Sequence, residues 1–492
     1  MEFLGKRIEL NPQPRKQSAV AFEVAMLGHC PGRVRPERIN PATIVEIRNQ
    51  GFSQRLDNLL AVNDGLYHLP IPLYSSAEFD DIFPDAKTKS SIYRSRLAGS
   101  RAWLGWAIND FFANGGKKLW LIQIPEVDGF EGFLPKENVP LYDVENLQGI
   151  ATALVLNQVG LVTLPDLERL QVPANLQDIP RKRLVNPQPR FLPCGQGFDD
   201  GHRERRYSVE LDNTSVPLGM TELLRRILGF MDKHRPDMQC LLSLPLAFSE
   251  ALGSPGIDQD AVDNINTLRL QSHGYLLRQM QFLYPYLRTN NHDVLYSSVG
   301  AISGLIASSA EQNGPWRSIA GLSIKTDVEP FPRVDKIQKV VLRDEVGIGV
   351  VERRIGKVCL DDERICVPAL YRNDYKAGAL GDYLQGTRSA EVVRFLGFIR
   401  RELETLGERL IFNVDYRDPR PQMMIDNFFR KLYEQGALRG RNVEEAFTVI
   451  QKPTQNSVIA FNIEFAPAFP IDKIQLTFVN LEGEWVTEVG ND

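Results

Sequence analysis

The sequence predicts an α/β protein of mixed α+β character, and three stretches predict it. "SRAWLGWAINDFFANGG" followed by "KKLWLIQI" reads as helix, stop, strand. "TELLRRILGFMDKH" followed by "MQCLLSLPL" repeats that order. Near the C-terminus, two amphipathic helices precede a set of alternating strands that closes on "IDKIQLTFV".

Taken in order, residues 1 to about 18 are polar, hold Pro12 and Pro14, and begin with the strand-like "EFLGKRIEL". This reads as an arm and not as core. "AVAFEVAMLG" opens the first buried strand. In "YSSAEFDDIF", Ser75 or Ser76 can cap a helix whose first turn is acidic. Gly115 and Gly116 stop the helix that follows, because a glycine past the last turn takes the left-handed conformation at little cost. Residues 125–147 and 171–218 are rich in Pro, Gly and charge, and the second reads as a loop-like insertion.

The last third is the most regular. Ser389 can cap "AEVVRFLGFIRRELETLGERL", where Val392, Phe395, Leu396, Ile399 and Leu403 share one face. "LIFNVDY" reads as a strand. Asp418 and Pro419 open a second helix with Ile425, Phe428, Phe429 and Leu432 as its stripe and Gly436 as its stop. Ile459, Phe461, Ile463 and Phe465 then alternate with polar or small residues, as do Ile474, Leu476 and Phe478, which is the period of a half-buried strand.

Composition bounds the function. The chain has 492 residues, which at roughly 150 per domain suggests about three domains. A net charge of −5 does not favour nucleic acid or an anionic membrane as the general partner. No apolar run is long enough to span a bilayer, and the N-terminal stretch lacks the apolar core of a signal peptide, so synthesis in the cytoplasm is expected. The cysteines Cys30, Cys194, Cys240, Cys359 and Cys366 form no CxxC pair and read as thiols, not as a disulfide framework or a zinc site.

Chemistry is sparse. There is no Walker-type phosphate loop and no Gly-x-Gly-x-x-Gly. "EVGIGVV" with Gly347 and Gly349 reads as a tight bend, and "GAISG" at 300–304 as small residues on a packed helix, not a nucleophile elbow. "DDGHRERR" gathers Asp199, Asp200, His202 and Glu204 in the most loop-like part of the chain and reads as a solvated loop. His29 beside Cys30 reads as structural. No catalytic residue, metal site or cofactor is expected, and function is expected to lie in contacts with other chains.

Several segments, in order, resemble contractile tail sheath proteins of phages, phage-tail-like bacteriocins and extracellular contractile injection systems. "FFANGGKKLWLIQI", with Gly115 and Gly116, is similar to the family's helix, Gly-Gly and strand. "FLYPYLRT" and then "SVGAISGLIASSAEQNGPWRSIAG" are similar to its run to a Gly-x-Trp-x-x-x-Ala-Gly motif, carried by Pro315, Trp316, Ala320 and Gly321. "FFRKLYEQGALRGRNVEEAFTV" resembles its C-terminal domain, including the Gly-Ala-Leu-x-Gly turn at Gly436, Ala437, Leu438 and Gly440. The family's N-terminal Pro-Gly-Val-Tyr segment is missing, and residues 341–385 have no evident counterpart.

The resemblance implies an N-terminal arm at 1–18, an outer α/β region at 19–330, an inner C-terminal domain at 331–472 with a mixed sheet flanked by helices, and a strand arm at 473–492. It implies a non-enzymatic subunit that polymerises helically with itself or with paralogous sheath subunits around an inner tube protein. Baseplate and cap proteins are the other partners. It implies no nucleic acid contact and no membrane insertion, and assembly in a bacterial or phage-infected cytoplasm into a tail-like particle that is released. Phe3, Ile8, Ile474, Leu476 and Phe478 would add strands to neighbouring subunits. Residues 389–441 hold ten basic and eight acidic side chains, and Arg400, Arg401, Arg430, Lys431, Arg439 and Arg441 would face an acidic tube. A specialised cap- or baseplate-adjacent or non-contractile subunit is the alternative, and a soluble α/β enzyme a further one.

Overall fold

The computed structural model describes residues 22–62, 65–87, 101–171, 220–249, 254–270, 274–289, 294–366, 388–409, 418–452, 459–468, 474–481 and 484–489. The arm with Phe3 and Ile8, the insertion after Gln171, "DDGHRERR", Cys194 and the expected strand "LIFNVDY" lie outside them. The strands are β1 (Glu23–Gly28), β2 (Pro70–Leu73), β3 (Leu119–Gln123), β4 (Val159–Thr163), β5 (Gln239–Ser243), β6 (Leu246–Ser249), β7 (Ser254–Ile257), β8 (Met280–Tyr284), β9 (Tyr286–Thr289), β10 (Leu295–Tyr296), β11 (Val328–Phe331), β12 (Gly349–Arg354), β13 (Lys357–Leu360), β14 (Phe447–Lys452), β15 (Ala460–Phe465), β16 (Ile474–Leu481) and β17 (Glu484–Val489).

Eight strands form one large sheet in the order β13-β12-β8-β5-β4-β1-β3-β2. Neighbours from β3 to β12 run parallel, and β2 and β13 close the two edges antiparallel. The central strands are near-continuous apolar runs, as strands buried on both faces require. β9, β10 and β11 form a small sheet, and β6 pairs with β7. Ser389 stands at the N-cap of helix Ala390–Glu408, as expected, but its side chain makes no capping hydrogen bond; two other expected signals are met. Ser75 accepts from the Glu78 amide at 3.2 Å, and Gly115 takes φ +100° after helix Leu104–Ala113. Gly347 (φ +82°) closes the helical segment Val341–Val346 just before β12, which is the bend read from "EVGIGVV".

Helices Leu104–Ala113 and Val299–Asn313 pack together against the large sheet. Their closeness explains "GAISG": a Cβ on Gly300 would fall on the Ala107 carbonyl, and one on Gly304 on that of Phe111. Backbone cannot yield as a flexible side chain does. Gly300→Val is therefore expected to cost about 3 kcal/mol or more, read as insolubility or a lowered Tm. Gly229 has open space at its Cβ in helix Met220–His234, so Gly229→Ala should raise stability by up to about 1 kcal/mol. Unchanged melting of both variants would refute this account of the glycines.

A second core lies below the first. Helices Ala390–Glu408 and Arg420–Glu434 lay their apolar stripes on the antiparallel sheet β14-β15-β16-β17. The stripe read from the sequence is buried at Val392, Phe395, Leu396, Ile399, Leu403, Ile425, Phe429 and Leu432, and Phe428 is half-buried at its margin. Phe461 and Ile463 of β15 lie opposite Phe478 and Leu476 of β16, all buried.

Two expectations are corrected here. The expected inner domain begins at 331, yet β12 and β13 join the large sheet, so among the described residues the second core runs from Val392 onward, with Trp316 added from earlier in the chain. The closing strand is expected to pair in a neighbour. Instead β16 lies between β15 and β17 of its own chain, with Ile474 paired to Phe465 and Leu476 to Ile463. The physical reason is that Leu476 and Phe478 complete the apolar layer under the two helices of the same chain. The outer edges of this sheet are β14 and β17.

Candidate functional site

In a parallel α/β sheet, ligands bind beyond the carboxyl ends of the strands, often at a helix N-terminus. Here that position is filled from within. Asp166, just past β4, accepts from the backbone amides of His29 (2.9 Å), Trp103 (2.7 Å) and Leu104 (3.1 Å). Its carboxylate thus caps helix Leu104–Ala113 where an anion would otherwise sit. The Arg169 guanidinium lies 2.9 Å from both Asp166 and Glu126 and donates to His29 Nδ1 at 2.6 Å. Burial, reinforced by Arg169, pushes the His29 pKa down to about 3. The imidazole is neutral, as its acceptor role requires. His29, Asp166 and Arg169 are fully buried. This is a sealed structural cluster, consistent with the structural reading of His29. The sequence reading passed over Asp166, Arg169 and Glu126; "TLPDLERL" directly after a buried strand was the available signal.

Two further carboxyls, Glu168 and Asp110, are also buried. Burial raises the Glu168 pKa well above the usual range beside Ser243 and Ser297. Asp110 accepts from Tyr296 Oη at 3.0 Å, and burial raises it to about 7. An acid raised on folding contributes stability that is complete below its unfolded pKa, near 4, and is lost as pH climbs through its folded value. Asp110→Asn removes this titration and retains an acceptor. We expect its melting temperature to fall less than the parent's between about pH 5 and 8. Parallel profiles for the two proteins would refute the assignment. Among the described residues no group of three or more His, Cys, Asp or Glu is placed to hold a metal ion, and Cys30, Cys240, Cys359 and Cys366 are free and buried. Nor, among them, is any helix long and apolar enough to cross a membrane.

The second candidate region is the joint between the cores, at the amino ends of the parallel strands. Arg394, on helix Ala390–Glu408, forks onto Glu363 at 2.7 and 3.1 Å with both side chains buried. Glu363 also accepts from the Ile319 amide at 2.8 Å. About two turns on, Arg401 pairs with Asp237 at 2.9 Å and stacks near Phe22. Arg235 forks onto the same Asp237 at 2.7 and 2.9 Å and reaches the carbonyls of Leu154, Leu156 and Val159. Asp237 is held at about 2 despite its burial, because the two guanidiniums outweigh desolvation. Gly397 lets the helix rest on this turn, since a Cβ there would meet the Asp237 carbonyl.

The expected site residues sort as follows. Trp316 packs edge-on to Phe395 at 5.6 Å, so this motif residue ties the segment after helix Val299–Asn313 to the second core. Pro315 is buried, Ala320 is exposed, and Gly321 (φ +77°) donates to the Leu360 carbonyl. Gly436 (φ +75°) ends its helix, and Gly440 shapes the following turn. Arg430, Lys431, Arg439 and Arg441 are exposed along the end of helix Arg420–Glu434 and the turn beyond it. Arg400 is half-buried. Arg401 is a correction: it is buried in the joint, and its charge is committed to Asp237, not to a tube.

No protein-family model matches the sequence, and no curated protein matches it. The fold, however, matches solved structures along almost its whole length. A chain from the anti-feeding prophage baseplate in its contracted state is similar with a TM-score of 0.55 and 14% identity, over 95% of each chain. One from the six-fold symmetrised anti-feeding prophage baseplate gives 0.51 and 15%, over 96% of this chain and 97% of that one. One from the contracted sheath complex of an extracellular contractile injection system, PVC, gives 0.50 and 13%, over 96% and 95%. At this identity the likeness establishes the fold, which is that of the proteins the sequence resemblance named.

Proposed function

We propose that this chain is a structural subunit of a contractile sheath, polymerising helically around an inner tube and contracting to drive that tube through a target envelope. The observation that carries the reading is the match of both cores together, over 95–96% of the chain, to chains of contractile particles. The sealed cluster past β4 supports it, since the position an α/β enzyme gives to its substrate is filled here by Asp166. Partners on this reading are further copies of the chain, a tube protein, and baseplate and cap proteins.

Subunits would then be linked by strands added to the open edges of the small sheet, β14 and β17, because β16 is paired on both sides at home. Residues 1–18, with Phe3 and Ile8, are the proposed incoming strand. Arg430, Lys431, Arg439 and Arg441 are the proposed tube-facing charges. A head-to-tail contact that does not close gives a filament.

Electron microscopy of the purified full chain, alone and with its tube protein, tests this. Long hollow cylinders are expected; a discrete monomer under every condition overturns it. The likeness to baseplate chains favours a second reading, a specialised subunit at the baseplate end. That reading expects single rings or short stacks in place of cylinders.

A further inference from the structure

Two surface segments of the large sheet's carboxyl end carry opposite charge and unusually exposed apolar side chains. The first is the turn joining β12 to β13, "RRIGK". Arg353, Arg354 and Lys357 are exposed there and form no ion pair among the described residues. Between them Ile355 is 94% exposed and held at φ +49°, a conformation that branched side chains resist. Helix Lys336–Val340 is pinned alongside by Lys339 to Glu352 at 2.8 Å, and its Ile337 is 79% exposed.

The second segment is the excursion after β3. Residues 126–145 carry six acids (Glu126, Asp128, Glu131, Glu137, Asp143 and Glu145) against the single base Lys136. Arg169 neutralises Glu126, and Arg226 lies 3.7 and 3.9 Å from Glu131 and Glu137, so a net negative surface remains. Within it Val127 is 72% exposed and Tyr142 87% exposed.

β12 and β3 run in the same direction through the sheet, so both segments emerge at the same end, away from the joint with the second core. Four strands separate them, which sets β12 and β3 about 24 Å apart at the usual strand spacing. A strained apolar tip ringed by unpaired cations, and an acidic surface with its own exposed apolar pair, are complementary but face apart on one molecule. We infer that they meet between molecules: the β12–β13 turn of one copy docks on the 126–145 excursion of the next, a head-to-tail contact at the outer rim. The occupant of each surface is a second copy of this chain. The inference rests on the polymer reading above and names the contact that reading leaves open.

Charge reversal tests it on the full chain. Three exposed ion pairs together are worth roughly a tenfold change in association. R353E/R354E/K357E, measured by sedimentation in about 150 mM NaCl, should lose that tenfold. Adding E131K/E137K to the same chain should recover part of it, because two of the three reversed charges then meet a reversed partner on the neighbouring copy. All five side chains are exposed, so circular dichroism should be unchanged. Oxidation of Y142C/I355C gives a second measurement: a ladder of covalent oligomers is expected, and only monomer and dimer from either single variant. Reversal without effect, reversal that the second change does not rescue, or absence of a ladder overturns the inference. Wild-type cylinders with indifferent reversal variants would sink the rim contact and leave the sheath reading standing. Rescue of charge-dependent association by a wild-type chain that never forms cylinders would do the converse.

Discussion

Arg394→Met should destabilise the protein by about 3–5 kcal/mol, more than any other single side-chain removal at the joint. The variant leaves the Glu363 carboxylate fully buried, with one backbone amide in place of three donors. The guanidinium itself is not what makes the loss large; the unpaired acid is. Arg394→Met with Glu363→Gln should therefore recover most of the loss, since a neutral amide can still accept from Ile319 and no charge stays buried. Urea unfolding of the two variants checks this. A double variant no better than the single one would mean that the pair holds the cores by geometry and not by charge compensation. Arg401→Met should be milder, because Arg235 remains on Asp237.

Removing residues 473–492 should cost the second core its fixed packing. From sequence alone, a freestanding arm leaves a folded monomer behind when cut. The structure predicts otherwise, because Leu476 and Phe478 are buried under the chain's own helices. Each contributes roughly 1.5–3 kcal/mol by burial, and their loss uncovers Phe461 and Ile463 on β15. The expected product is insoluble, or loses near-ultraviolet dichroism and becomes protease-sensitive beyond about residue 388. A shorter cut, removing 482–492, takes β17, which lies against helix Ala390–Glu408 and carries the buried Thr487, but keeps Leu476 and Phe478; it should loosen the second core less than the longer cut does. A soluble 1–472 chain with full-length melting would show that β16 is dispensable at home, and would revive the strand as one donated to neighbours.

These two cases also show what could be read from the residues. Alternation along 459–465 and 474–478 fixed which side of each strand is buried, because a strand's side chains alternate strictly. It could not fix the partner, since the same apolar face satisfies a neighbour's helices or its own equally well. Helix stripes were legible for the same reason: Phe395, Ile399 and Leu403 recur with the helical period, and glycine stops such as Gly115 and Gly436 are local. Arg401 was misplaced because a cation's identity says nothing of its partner, and Asp237 lies 164 residues away. The boundary at 331 failed similarly. β12 and β13 lie past residue 331, yet β12 pairs with β8 and β13 with β12, contacts that no local pattern announces. The candidate surface at 353–357 carried a visible charge run, but only the fold reveals that its acidic counterpart shares the same end of the sheet.

The seat of helix Ala390–Glu408 on the amino ends of β4 and β5 has a mechanical consequence. A push or pull delivered through the second core enters the large sheet lengthwise, along the six parallel strands that lie between antiparallel β13 and β2. Such loading shears every ladder bond at once and does not peel them singly. The sheet therefore behaves as a stiff spoke, with its guanidinium-clamped hub at one end and the β12–β13 turn at the other, and displacement at the hub is delivered to the rim nearly undiminished.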